Sequence, residues 1–211
     1  MGETLGIRDQ ASLKEWLEDQ PREVAVWIAS RAAARVLPIW WQAVLTEDWA
    51  NEANLTVLPA LRRLLTSSVS FHNPSDSLRI AAKRTLEGGI VGIPFKPPLE
   101  ADGAARGAAL AASAATAAHP AAVAAFAASR ASSGAQIGLK SDAIFLASGE
   151  LPDDLPLWPE EAGPPAEQWR AIKWQVDQSE GAEDWQFWIK WYDALLDGRP
   201  MLGDAGADRP H

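Results

Sequence analysis

The feature that most constrains this chain is where its tryptophans fall. Eleven occur in 211 residues, and they stand in two blocks at opposite ends: Trp16, Trp27, Trp40, Trp41 and Trp49, then Trp158, Trp169, Trp174, Trp185, Trp188 and Trp191. Between Ala50 and Leu157 there is none. Large aromatics dominate the burial of cores and interfaces, so the two ends are expected to fold against each other or to build two sides of one core. The middle then becomes an insertion or a spacer.

A chain of this length falls within the range of a single domain and needs neither disulfides nor metals to gain a core. It contains no cysteine, which removes thiolate metal sites, disulfides and thiol nucleophiles together. The first residues, MGETLGIRDQASLKEW, carry mixed charge and no apolar run, so no signal peptide is indicated and a cytoplasmic location is the expectation.

Local signals favour helix. Ser12-Leu13-Lys14-Glu15 fits a capping box, and Pro21 stands where a second helix can begin. That helix is expected to run to about Val36; Pro38 lacks an N–H and biases the residue before it away from helical angles, so IWWQAVL is expected as a separate helix or as a continuation past a kink. A further helix starts near Pro59 with Leu61, Leu64 and Leu65 inward, and Asn73-Pro74-Ser75-Asp76 announces another that ends at Gly88-Gly89. Residues 89–98 read as an ordered loop or one short strand. No alternation of strand and helix appears, so the expected fold is all-α.

Residues 101–135 are more than half alanine. Alanine favours helix but offers little area to hold that helix against a neighbour, and His119-Pro120 divides the stretch in two, Val123 and Phe126 giving the second part its packing face. The uncharged run from Gly107 to Ser129 has the length of a bilayer span, but its Ala, Ser, Thr and Gly content makes transfer weak, so no membrane contact is expected. The chain divides into an N-terminal helical region (1–100), an alanine-rich spacer or lobe (101–150) and a tryptophan-rich hairpin with a short tail (151–211), together one folded unit.

In the last region Trp169, Ile172 and Val176 recur at helical spacing, and Ser179-Glu180-Gly181 makes a short turn into DWQFWIKWYDALLDG. So brief a connection sets two helices antiparallel. At 100° per residue, Gln186, Lys190, Asp193 and Asp197 occupy a strip only about 60° wide, and apolar residues fill most of the rest. Gly198 and Pro200 give the stop. Such a helix is either central or an interface. Phe187, Trp188, Trp191 and Tyr192 are the candidate partner-binding residues, since Trp and Tyr are preferred anchors.

Two further candidates come from charge. Val24, Trp27 and Ile28 share a face with Arg31 and Arg35, placing two guanidinium groups inside an apolar sector. Such groups either reach water or an acidic partner with their heads, or form an anion site flanked by Trp27. The stretch from Ala53 to Lys96 holds six basic residues against two acidic, whereas Glu150 onward holds fourteen acidic against five basic. The basic segment 62–84, with Arg79, Lys83 and Arg84 on one helix, is the candidate nucleic-acid surface. The overall charge of −9 argues against it.

Catalytic signatures are missing. His72, His119 and His211 form no ligand-spaced cluster, and no GxSxG, GxGxxG or P-loop pattern occurs, so no catalytic residue, metal or cofactor is named. QPREVAVWIASRAAARVLP and LWPEE…PPAEQWRAIKW…DWQFWIKWYDALLDGRP together resemble a group of bacterial proteins in which alanine-rich tracts precede a W-x-x-W-x-x-W-Y-x-x-x-L-x-G module. The resemblance covers about a third of the chain and implies no activity, substrate or site residue. The expectation from the sequence is a non-enzymatic interaction or regulatory protein that binds a protein partner or a second copy of itself. The alternatives are nucleic-acid binding by segment 62–84 and an enzyme or small-anion site near Arg31 and Arg35.

Overall fold

The computed structural model describes residues 9–52, 55–72, 133–148, 155–159 and 166–199, together with Ile7, Ile80, Val123 and Ala125. Seven α-helices and no strand are found among them: α1 (Gln10–Glu18), α2 (Arg22–Thr46), α3 (Asp48–Glu52), α4 (Leu58–His72), α5 (Ser133–Leu146), α6 (Ala166–Asp177) and α7 (Ala182–Leu196). The fold is all-α. The segment expected at 73–88 and most of the alanine-rich tract, including His119-Pro120 and Phe126, lie outside the described residues. Val123 is helical, and Ala125 is fully buried in the core.

Helix α2 is the axis of the molecule, and α3, α4, α5 and α6 all pack against it. Its residues from Val24 to Leu37 are buried without interruption, which an amphipathic surface helix never shows. The reason is its composition: valine, isoleucine, alanine and tryptophan occur around its whole circumference, so burial on every side is the only arrangement that removes them from water. Ser30 Oγ lies 2.9 Å from Ser68 Oγ at the contact with α4, a polar pair satisfied inside the apolar interface.

The aromatic ends meet as expected. The Trp41 ring, on α2, stands 5.5 Å from Trp169 on α6 and 5.8 Å from Trp185 on α7, and Trp169 stands 4.5 Å from Tyr192. Edge and tilted geometries of this kind add to the area that each ring buries.

Two boundaries depart from the sequence expectation. The cap of α1 lies three residues earlier, where Asp9 Oδ1 accepts from the Ser12 N–H at 2.8 Å and Ser12 Oγ accepts from the Asp9 N–H at 3.1 Å. Aspartate followed by serine makes the reciprocal box that Ser12 and Glu15 were expected to make. Short α3, with its first-turn Asp48, was not anticipated.

Of the two forms expected after Pro38 the structure shows the continuation: α2 runs from Arg22 through Pro38 to Thr46. A proline inside a helix supplies no N–H to the carbonyl four residues before it, here that of Ala34. The freed carbonyl is buried, and the Tyr192 hydroxyl donates to it at 3.0 Å. A side chain from the far end of the sequence thus replaces the missing backbone donor, and the helix tolerates its proline.

The C-terminal hairpin follows its signals closely. Gly181 adopts φ 78° at the turn and Gly198 φ 69° after α7, where Arg199 N–H donates to the Ala194 carbonyl at 2.9 Å. Both are left-handed positions that glycine occupies without strain.

Candidate functional site

Arg31 and Arg35 lie one turn apart on α2, and α5 brings Asp142 between them. Arg35 Nη1 and Nη2 each donate to one Asp142 oxygen at 2.7 Å, a two-point fork, while Arg31 Nε reaches the same carboxylate at 3.2 Å. The remaining nitrogens turn to main-chain carbonyls of the connector before α6. Arg35 Nε donates to Leu157 at 2.7 Å, Arg31 Nη1 to Leu155 at 2.8 Å, and Arg31 Nη2 to Pro156. Every nitrogen of both guanidinium groups is therefore engaged, and the Arg31 group also lies 4.5 Å from the centre of the Trp27 ring.

The cluster is deeply enclosed, with the Arg35 and Asp142 side chains at 0% and 2% exposure. Burial pushes Arg31 below its ordinary value, against the opposing pull of Asp142. Two cations face one carboxylate, and three successive carbonyl dipoles supply the rest of the negative potential. Gly138, on α5, explains how Arg35 fits. A Cβ built there would stand 2.5 Å from Arg35 Nε and 2.7 Å from Cζ, so only glycine lets the guanidinium lie against the helix backbone.

This arrangement settles which way the arginine heads turn: toward Asp142 and the connector's carbonyls, not to water. A small anion here would have to displace Asp142 or the connector. The cluster joins α2, α5 and residues 155–157, and the Leu157 N–H in turn meets the Leu196 carbonyl at 3.4 Å. Asp142 was missed in the sequence, although a signal was present. Ala135, Gly138, Leu139, Asp142, Ala143 and Leu146 recur at helical spacing, which puts one carboxylate inside an otherwise apolar stripe.

The four candidate partner-binding residues separate. Tyr192 and Trp191, at 0% and 2% exposure, belong to the interior. This corrects their placement at a surface: Tyr192 is consumed by the Ala34 carbonyl, and burial raises its hydroxyl far above the usual value. Trp188 is half-buried, its ring 5.0 Å from Phe187 and 6.0 Å from Trp191. Phe187 alone of the four is open, at 48% exposure, and Trp174 on α6, not anticipated, is more so at 66%.

Contacts across the hairpin locate these two rings relative to each other. Lys173 Nζ reaches Asp193 Oδ1 at 3.2 Å, Trp169 Nε1 donates to the same oxygen at 2.8 Å, and Gln186 Nε2 lies 3.5 Å from Asp177 Oδ1. These pairs mark the flank where α6 and α7 face each other. Trp174 then lies level with the Ile189 turn and Phe187 close to Val176, an axial offset of roughly 3 Å at the helical rise of about 1.5 Å per residue. Trp174 projects away from α2, because Trp169, Ile172 and Val176 take the opposite, buried side of α6; α7 is buried at Ile189, Trp191, Tyr192 and Ala194, and Phe187 stands exposed beside the buried Trp191 and Ala194.

Of the basic segment, Arg62 is exposed while Arg63 is buried, its guanidinium lowered from the ordinary value by burial. Arg79, Lys83 and Arg84 lie outside the described residues. Among the described residues no group of His, Asp and Glu has the arrangement of a metal site, and no helix is long and apolar enough to cross a membrane. No family model, no curated protein and no solved structure matches this chain.

Proposed function

We propose that this chain is a non-enzymatic interaction protein that binds a protein partner through the outer face of its C-terminal hairpin, centred on Trp174 and Phe187. The observation that carries this reading is a contrast within one aromatic system. Trp40, Trp41, Trp169, Trp191 and Tyr192 are withdrawn into the core, yet the same hairpin presents an indole and a phenyl ring, 66% and 48% exposed, on its outward side. Exposed aromatics of this size on one face are the usual anchors of a protein contact, since each gains more from desolvation than any other side chain.

The arginine cluster supports the same division of labour. It joins helices to the connector and leaves a soluble anion no open position, so the small-anion alternative has no observation in its favour. A capture experiment tests the proposal. Immobilised protein is exposed to extract of the source organism beside a Trp174→Ser/Phe187→Ser variant, and retained proteins are identified by mass spectrometry. A partner held by the parent chain and lost by the variant supports the reading; retention of the same partners by both overturns it.

A further inference from the structure

Helix α2 is held differently on the two sides of Pro38. Before it, Ser30 is paired with Ser68, and Arg31 and Arg35 are fixed by Asp142 and by the carbonyls of Leu155, Pro156 and Leu157. After it, the contacts are between rings: Trp41 lies against Trp169 and Trp185, and Trp40 lies 6.1 Å from Trp49 of α3. Charge-assisted hydrogen bonds fix direction as well as distance, whereas apolar contact is non-directional and tolerates sliding.

Pro38 removes one bond from the ladder that joins the two segments, and its ring crowds the Ala34 carbonyl that the bond would have used. Helices bend sharply at such residues. Here the carbonyl is answered from α7, by the Tyr192 hydroxyl at 3.0 Å. An independent observation places the looser side of the joint beyond Pro38. Trp40 Nε1, Gln42 Oε1 and Trp49 Nε1 are enclosed there and meet no hydrogen-bond partner among the described residues. Unpaired polar atoms raise the free energy of the closed arrangement and lower the cost of a movement that brings water to them.

We infer that α2 is a hinged helix, in which residues 39–46 swing together with α3 about Pro38 and the Tyr192 hydroxyl is the latch that keeps the joint closed. Because the latch sits on α7, the seating of the hairpin sets the angle of the central helix, and a displacement of α7 is passed to α3. The joint lies on the inner side of the hairpin and works in the same way whatever the outer face binds.

Distances between spin labels, measured by double electron–electron resonance, test this. The chain has no cysteine, so introduced ones are labelled uniquely. Exposed Lys140, on α5, and Glu15, on α1, are each paired with exposed Glu52, on α3, as Lys140→Cys/Glu52→Cys and Glu15→Cys/Glu52→Cys. The eight residues from Pro38 to Thr46 make an arm of about 12 Å, so a bend of about 20° moves α3 by about 4 Å. Tyr192→Phe should raise the ratio of bent to closed chains by about tenfold and add a shifted distance in at least one pair. Pro38→Ala combined with Tyr192→Phe should restore the parent distribution, since the ladder then supplies its own donor. Circular dichroism checks that each variant keeps its helix content. Distributions that Tyr192→Phe leaves unchanged in both pairs overturn the hinge, as does a shift that Pro38→Ala fails to reverse.

Discussion

If the Tyr192 hydroxyl stands in for the N–H that Pro38 lacks, the two residues must be energetically coupled. Tyr192→Phe removes one oxygen and leaves the ring in place, its centre 4.5 Å from that of Trp169 in the parent structure. What changes is the Ala34 carbonyl, which loses its donor at 3.0 Å inside a fully buried stretch of α2. Orphaning a buried acceptor costs about 1–3 kcal/mol, whereas removing a redundant hydrogen bond costs well under 1 kcal/mol. Pro38→Ala supplies the missing N–H, so in that background the carbonyl stays paired after Tyr192→Phe. The tyrosine substitution should therefore destabilise the parent chain by about 1.5 kcal/mol and the Pro38→Ala chain by no more than about 0.5 kcal/mol, a coupling of roughly 1 kcal/mol. Urea unfolding of the four proteins, followed by circular dichroism and tryptophan fluorescence, gives the cycle directly. Equal losses in the two backgrounds would refute the argument, because the hydroxyl would then be answering to something other than the proline.

The remaining predictions concern buried charge, a close approach and pH. Asp142→Ala leaves two enclosed guanidinium groups without their carboxylate and should cost about 3–5 kcal/mol in chemical denaturation; a loss below about 1 kcal/mol would mean that the connector carbonyls suffice alone. Arg35→Lys should rescue little, since an ammonium cannot make the two-point contact with Asp142 while also reaching Leu157. Gly138→Ala would by helix propensity stabilise α5 by about 1 kcal/mol, but Arg35 is pinned on both sides, so a net loss of about 1–3 kcal/mol is expected; a raised melting temperature would contradict it. Tyr192 is the chain's only tyrosine, and burial raises it. Folding favours its protonated form, so the contribution is complete below the unfolded value of about 10 and declines as pH rises above it. Tyrosinate absorbance should appear together with unfolding, and titration of the native fold near the ordinary value would exclude the enclosed site.

What the sequence disclosed follows from the range of each physical signal. The hairpin was legible because its determinants are local: apolar spacing at Trp169, Ile172 and Val176, a short turn, and glycine at 181 and 198. The meeting of the two tryptophan blocks was legible because it needs only composition. Wherever a local rule is compensated from a distance, the sequence leaves the outcome open. Pro38 marks a helix end unless a donor arrives from elsewhere, and nothing near it in the chain announces Tyr192. Trp191 and Tyr192 were placed on a surface because aromatic residues surround most of α7, a pattern equally suited to burial. Trp174 could have been found, since the helical step that turns Trp169 and Val176 inward turns it outward.

The three broken rules of the interior have a common structure. A proline within a helix, arginines in an apolar sector and a glycine in mid-helix would each destabilise a fragment that contained only its own neighbourhood. Their compensations come from α7, from α5 with residues 155–157, and from Arg35 respectively, and all of them converge on α2. A helix burdened in this way cannot be stable before its partners are in place, so the long central element depends on the distant ones. Tryptophan supplies the area that makes this assembly favourable, with Trp41 enclosed between Trp169 and Trp185. The hairpin is thereby anchored by its inner face, which leaves Trp174, the most exposed ring, little part in keeping the chain folded, while Phe187 keeps one packing contact, with Trp188. Substitutions there can change association without changing the fold, and on that separation the proposed contact surface depends.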